Sequence, residues 1–221
     1  MKVVVIGTGV MGRNHIRVLR EIPEVQVVAV VDRDLARAEE AGKPYGIRAC
    51  SDAVQAFREH RPDAAIIAVP TERHHQVAMS AIEHGVHVLV EKPIASTVQQ
   101  GEELVEAARR NRVVLSVGHV ERFNPAVIEL KRRMDAGELG RIFMIHSRRL
   151  SPYPRRIMDV GVAADLASHE LDMMHYLTGS RGEIVGAAVS QVLHPTHEDI
   201  VFGVLRFASG VLGILDVNWV T

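Results

Sequence analysis

Short, wholly apolar runs alternate with helical periodicity over the first half of the chain. Residues 2–6 predict a buried strand, 11–22 a helix stopping before Pro23, and 25–31 a second, β-branched strand. Helices follow over 35–41 and 52–60, then an apolar strand over 64–69. A helix over 72–84 has Thr71 as its expected N-cap and Gly85 as its stop. A strand over 86–90, a helix capped by Ser96 or Thr97 and reaching about Asn111, and a strand over 113–117 complete the series. Apolar strands separated by helices indicate a parallel sheet covered on both faces.

After Gly118 the pattern changes. Asn124-Pro125 reads as N-cap and first residue of a helix ending near Gly137. A strand over 141–150 and a helix over 161–177 follow, with Gly179 just past its end. Three long strands are expected over 183–193, 199–207 and 211–220, the last two joined by the turn Ala208-Ser209-Gly210. The fold class is therefore an α/β Rossmann domain, residues 1–120, followed by an α+β domain, residues 121–221, with a largely antiparallel open sheet.

The loop "VVVIGTGVMGRNH" puts Gly7, Gly9 and Gly12 between a strand and a helix. The first glycine allows a tight turn, the second lets a pyrophosphate approach the backbone, and the third lets helix and strand pack closely. The free N–H groups of the helix start favour phosphate. Asp32 ends the second strand twenty residues after Gly12, where a carboxylate accepts from the adenosine ribose hydroxyls. Asp32 would repel a 2′-phosphate, so NAD is expected over NADP; Arg33 beside it pulls the other way. The cofactor set read here is Gly7, Gly9, Val10, Met11, Gly12, Asp32, Arg33, Pro70, Thr71, His74, Glu91 and Lys92.

Glu91-Lys92-Pro93 closes the strand over 86–90, at the sheet edge where open α/β sheets bind ligands. Position alone leaves Lys92 between a catalytic lysine and an ordinary surface one. Asp165, His169 and Asp172 recur at i, i+4 and i+7, within one stripe of a continuous helix. Such a stripe suits acid–base chemistry, with a metal site as rival; no further ligand cluster accompanies it, so no metal is expected. The pairs His74-His75, His84/His87 and His194/His197 read as surface or loop histidines.

The 26 basic and 27 acidic residues nearly cancel, so nucleic acid and anionic membranes are not expected partners. Cys50, the single cysteine, excludes an intrachain disulfide. No signal peptide and no apolar run of about 18 residues is read, and a cytoplasmic location is expected.

"VIGTGVMGRNH", "AIIAVPTERHHQVAMSAIEHGVHVLVEKPIAST" and "DLASHELD" resemble the glucose–fructose oxidoreductase, inositol dehydrogenase and rhizopine-catabolism oxidoreductase family over essentially all 221 residues. The resemblance implies hydride transfer at a sugar or cyclitol hydroxyl carbon, with Lys92, Asp165 and His169 on active-site positions. Ala167 stands where many members have glycine. "VGHVERFNPAV" and "RRLSPYPRRIMDVGV" are similar to the UDP-N-acetylglucosamine 3-dehydrogenase branch. That likeness implies Glu121, Arg122, Phe123 and Asn124 near the cofactor. It also implies a substrate set of Arg122, Asn124, Arg149, Tyr153, Arg155, Arg156, Asp165 and His169. Arg148, Arg149, Arg155 and Arg156 suit a diphosphate, or else a solvated strand edge. The branch implies UDP-N-acetylglucosamine as substrate. The alternatives are a cyclitol or free-sugar dehydrogenase, a redox-neutral glycoside-cleaving enzyme, and a non-catalytic NAD-binding sensor or subunit. A homo-oligomer formed through the C-terminal sheet is also expected. Members usually continue beyond "DVNWVT", so the C-terminal sheet is expected to be incomplete.

Overall fold

The apolar runs of the first half form one parallel sheet. A computed structural model of the chain describes residues 1–154 and 160–221. The chain divides into Met1–Gly118 and His119–Thr221.

In the first unit the strands are β1 (Lys2–Ile6), β2 (Gln26–Val31), β3 (Arg48–Cys50), β4 (Ala64–Ile67), β5 (His87–Val90) and β6 (Leu115–Val117). They lie in the order β3-β2-β1-β4-β5-β6, every neighbour parallel. The helices are α1 (Val10–Leu19), α2 (Leu35–Gly42), α3 (Ala53–His60), α4 (His74–Glu83) and α5 (Val98–Asn111). Two cores flank the sheet. Val4, Ile6, Ile67 and Val90 pack with Phe57, Ile82 and Leu104 on one side; Val3, Val5 and Val30 pack with Ile16 and Ala38 on the other. The order of the strands reverses between β1 and β4, where such sheets open a ligand crevice.

The second unit holds α6 (Pro125–Asp135), β7 (Met144–Leu150), a π-turn (Ala163–Ala167) running into α7 (Ser168–Thr178), then β8 (Gly182–Ser190), β9 (Ile200–Phe207) and β10 (Leu212–Asn218). The sheet order is β7-β10-β9-β8; β10 is parallel to β7, and the other pairs are antiparallel. Val201, Leu205, Phe207, Leu215, Val217 and Trp219 pack with Val162, Ala167 and Met174 on one face only.

Several elements depart from the sequence pattern for physical reasons. Three-residue β3 is too short to show a period. Residues 71–73 form a 3₁₀ turn, and the Thr71 side chain caps nothing; α4 begins at His74. Thr97 and Asn124 do cap their helices, accepting from Gln100 N–H at 3.2 Å and Ala126 N–H at 3.0 Å. β8 stops at Ser190 because the next N–H groups leave the ladder. Those of Val192, Leu193 and His194 donate to the buried Asp199 carboxylate at 2.5, 2.6 and 3.0 Å. The helix expected over 161–177 contains the π-turn, closed by Ser168 N–H onto Ala163 O. His74 and His194 are buried, not surface histidines. Among the described residues, no helix is long and apolar enough to cross a membrane.

Candidate active site

Each glycine of the first loop has a different steric reason. Gly7 turns the chain at φ +92°, and a Cβ there would lie 2.4 Å from Ala68 O. A Cβ on Gly12 would lie 1.8 Å from Gly7 O, so α1 can approach β1 only without one. At Gly9 the Cβ position is open: its nearest neighbour is an Arg37 guanidinium nitrogen at 3.8 Å. Gly9 is also the N-cap of α1, with no side chain to satisfy the helix N–H groups. A loop that is packed tight at its first and third glycines and open at its second has the form that holds a pyrophosphate. Val10 and Met11, on the first turn, are exposed beside it.

Asp32 is fixed by the same loop. Its Oδ2 accepts from Thr8 N–H at 2.9 Å and Thr8 Oγ1 at 2.8 Å, and its Oδ1 accepts from Asp34 N–H at 3.1 Å. Burial alone would raise this carboxyl, but the Thr8 and Asp34 donors and the charge of Arg37 hold it below the usual range. Three of roughly four acceptor positions are thus filled, and Oδ1 keeps one more. Arg33 is exposed beside it. Arg13 is engaged elsewhere, donating to Thr8 O at 3.1 Å and pairing with Glu40 at 2.9 Å.

At the ends of β4 and β5, His74 bridges two loops, its ring nitrogens 3.0 Å from Val69 O and 2.8 Å from Pro93 O. Pro70 is exposed and Thr71 half-buried beside it. Glu91 meets His15 of α1 at 2.6 Å. Burial pushes the Glu91 carboxyl up, yet the His15 hydrogen bond and charge and the Lys92 N–H outweigh it and leave it lowered. This pair ties α1 to the strand end that carries half-buried Lys92. The sequence singled out Glu91 but not His15, whose partner lies 76 residues away.

In the second unit the π-turn carries Asp165 and the first turn of α7 carries His169, both half-buried. The turn ends the simple i, i+4, i+7 stripe. Asp172 serves a different purpose: it takes a bidentate Arg122 at 2.9 and 2.5 Å and lies 3.6 Å from His119. The Arg122 guanidinium also lies over the Tyr176 ring, 5.5 Å from its centroid. Arg149 is held by Glu121 at 3.0 Å and by buried Glu170, which Ser147 also contacts. Arg149 and the neighbouring Asn124 draw the Glu121 carboxyl downward. Arg148 pairs with Asp216 at 2.8 Å. Every described arginine of the expected diphosphate cluster therefore has a carboxylate partner. Arg155 and Arg156 lie outside the described residues. Tyr153 packs edge-on to Trp219 and His194, ring centroids 6.0 and 5.9 Å apart. Asn124 is exposed and spends its side-chain oxygen on the α6 cap. Among the described residues, no group of three or more His, Cys, Asp or Glu side chains could hold a metal.

Comparison with known proteins bears on both units. A family model described as an oxidoreductase family with an NAD-binding Rossmann fold matches residues 1–119, and a GFO/IDH/MocA C-terminal domain model matches residues 127–221. The chain is 35% identical over 96% of its length to inositol 2-dehydrogenase 2 of Saccharopolyspora erythraea. It is 34% identical over 81% of its length to the UDP-N-acetylglucosamine 3-dehydrogenase of Acidithiobacillus ferrooxidans. The alignments span 65% and 55% of those two proteins. Among solved structures, the WlbA dehydrogenase of Bordetella pertussis in complex with NADH and UDP-GlcNAcA superposes with a TM-score of 0.93 at 26% identity, covering 100% of this chain and 67% of that one.

Proposed function

The chain belongs to the GFO/IDH/MocA oxidoreductase family, and on that premise we propose that it is a dehydrogenase oxidising a secondary hydroxyl of a sugar or cyclitol. The open Gly9 cradle beside a pinned Asp32 carries the cofactor half of this reading. Gly7, Gly9, Gly12 and Asp32 would hold the adenosine and pyrophosphate end of NAD. NAD, when bound, supplies the acceptor for a hydride. His169 takes the hydroxyl proton; imidazole ordinarily titrates at about 6.5, which suits a base working near neutrality. Lys92 donates a hydrogen bond to the same oxygen and stabilises the negative charge that develops there. Asp165 orients His169 or binds a neighbouring hydroxyl.

The charge balance of the second unit favours a neutral polyol. Arg122, Arg148 and Arg149 are each answered by a carboxylate, so a diphosphate would have to displace Asp172, Asp216, or Glu121 and Glu170. Carboxylate–guanidinium pairs leave donors and acceptors in mixed order, as a ring of hydroxyls requires. UDP-N-acetylglucosamine remains the second reading, supported by the relative that acts on it and by Arg155 and Arg156.

The protein incubated with NAD and, separately, myo-inositol, glucose and UDP-N-acetylglucosamine should form NADH with the neutral polyols. NADH from the nucleotide sugar alone would move the substrate class and keep the chemistry. Lys92→Ala and His169→Ala should each lower turnover about a hundredfold with little change in NAD affinity. Near-normal turnover in either variant removes that residue from the mechanism.

A further inference from the structure

Arg37 is the third residue of α2. The helix start is set by Asp34, whose side chain accepts from Ala36 N–H at 3.1 Å and Arg37 N–H at 3.4 Å. This cap turns the first turn of α2 back toward the glycine loop. One guanidinium nitrogen comes within 3.8 Å of the place a Gly9 Cβ would take, at the one loop glycine whose outer side is open. Arg13, close by in sequence, has its guanidinium engaged by Glu40 and Thr8 O. The Arg37 guanidinium makes no hydrogen bond or ion pair at contact distance with another described residue, although its charge is felt at Asp32 and Glu40. An exposed guanidinium is flexible, but this one is anchored by its backbone to a capped helix start. Its exposed guanidinium stands at the mouth of the phosphate cradle, one nitrogen 3.8 Å from the Gly9 Cβ position.

We propose that Arg37 binds a phosphoryl group of the dinucleotide. The inference rests on the cofactor reading of the loop and extends it to a residue outside the glycine pattern. Two phosphates offer the same chemistry. The pyrophosphate is common to NAD and NADP and would lie by Gly9; the 2′-phosphate belongs to NADP alone and would sit by Asp32. Arg37 would donate charge-assisted, forked hydrogen bonds to either. Its position over Gly9 rather than over the far side of Asp32 favours the pyrophosphate.

Calorimetric titration of the protein with NAD and with NADP, in the wild type, Arg37→Ala, Arg37→Lys and Arg33→Ala, tests this. With a pyrophosphate contact, Arg37→Ala weakens both nucleotides by about tenfold and Arg37→Lys restores part of the loss. Raised salt should narrow the gap between wild type and Arg37→Ala. A loss confined to NADP in Arg37→Ala assigns the 2′-phosphate instead and keeps the proposal. Unchanged affinity for both nucleotides in Arg37→Ala overturns it, as does a loss of NADP binding seen only in Arg33→Ala. A wild type that binds neither nucleotide overturns the cofactor reading itself, and this proposal with it. Circular dichroism of the variants shows that α2 is intact.

Discussion

In β1 the neighbours Val4 and Val5 are both fully buried and belong to different cores, whereas in β9 the neighbours Val204 and Leu205 are 36% and 2% exposed. The contrast follows from connectivity. Each parallel strand of the first unit returns through a helix, and successive helices cover both faces. The second unit closes β9 onto β10 with a tight turn and brings a helix to one face only. Its outer face still carries Phe202, Val204, Leu212 and Met144, all exposed. Apolar character along a strand thus reports two-sided burial in the first unit and not in the second. At β8 even the alternation fails, since every residue from Glu183 to Ser190 is exposed.

The largest effect should come where backbone meets backbone. Gly12→Ala would put a Cβ within 1.8 Å of Gly7 O, and neither main chain can yield without opening the loop. Denaturant melts should show a loss above about 4 kcal/mol, together with loss of NAD binding. A variant that binds NAD normally would mean the helix-to-strand approach is not what the third glycine secures.

Paired substitutions measure the one-sided and two-sided sheets directly. Leu205→Ala should cost about 2–5 kcal/mol and Val204→Ala under about 1, while Val4→Ala and Val5→Ala should cost similar amounts, about 2 kcal/mol each. Equal costs at Val204 and Leu205 would show that something covers the outer face in solution.

A smaller effect separates the charges that hold each unit. Burial opposes ionisation of Asp199, but the N–H groups of Val192, Leu193 and His194 lower its pKa below the usual 3.8. Its contribution is therefore complete above about pH 4 and declines as pH falls through the lower folded value. Asp199→Asn should cost about 2 kcal/mol at neutral pH and flatten the acid limb of the stability profile. An unchanged acid limb would show that another carboxylate governs it.

What could be read from the sequence was whatever is local. Glycine spacing, the Asp32 distance, and the Thr97 and Asn124 caps depend on residues within a turn or one βαβ unit. The Arg122–Asp172 bond spans 50 positions, and Arg149 meets Glu121 and Glu170 across 28 and 21. No periodicity announces such pairs, so Arg122, Arg148 and Arg149 looked available for an anion when each already had a carboxylate partner. Residues 191–193 looked like more of β8, because their composition suits a strand and their acceptor, Asp199, is a side chain several residues on. Arg37 was missed for a related reason: only the fold brings the first turn of α2 to the mouth of the first loop.

The π-turn before α7 holds one residue more than an α-helical turn needs, with Ser168 Oγ donating to Ala164 O at 2.7 Å. Deleting Leu166, which lies between Asp165 and His169, would leave the remaining residues able to close ordinary i to i−4 bonds. It would, however, rotate everything upstream by about 100° relative to His169. Asp165 would then be turned by that angle about the helix axis from its present bearing to that histidine. On the proposed mechanism, the phase between these two side chains fixes the length of the segment. In descent, its length should behave as a functional character, changing only when the chemistry does.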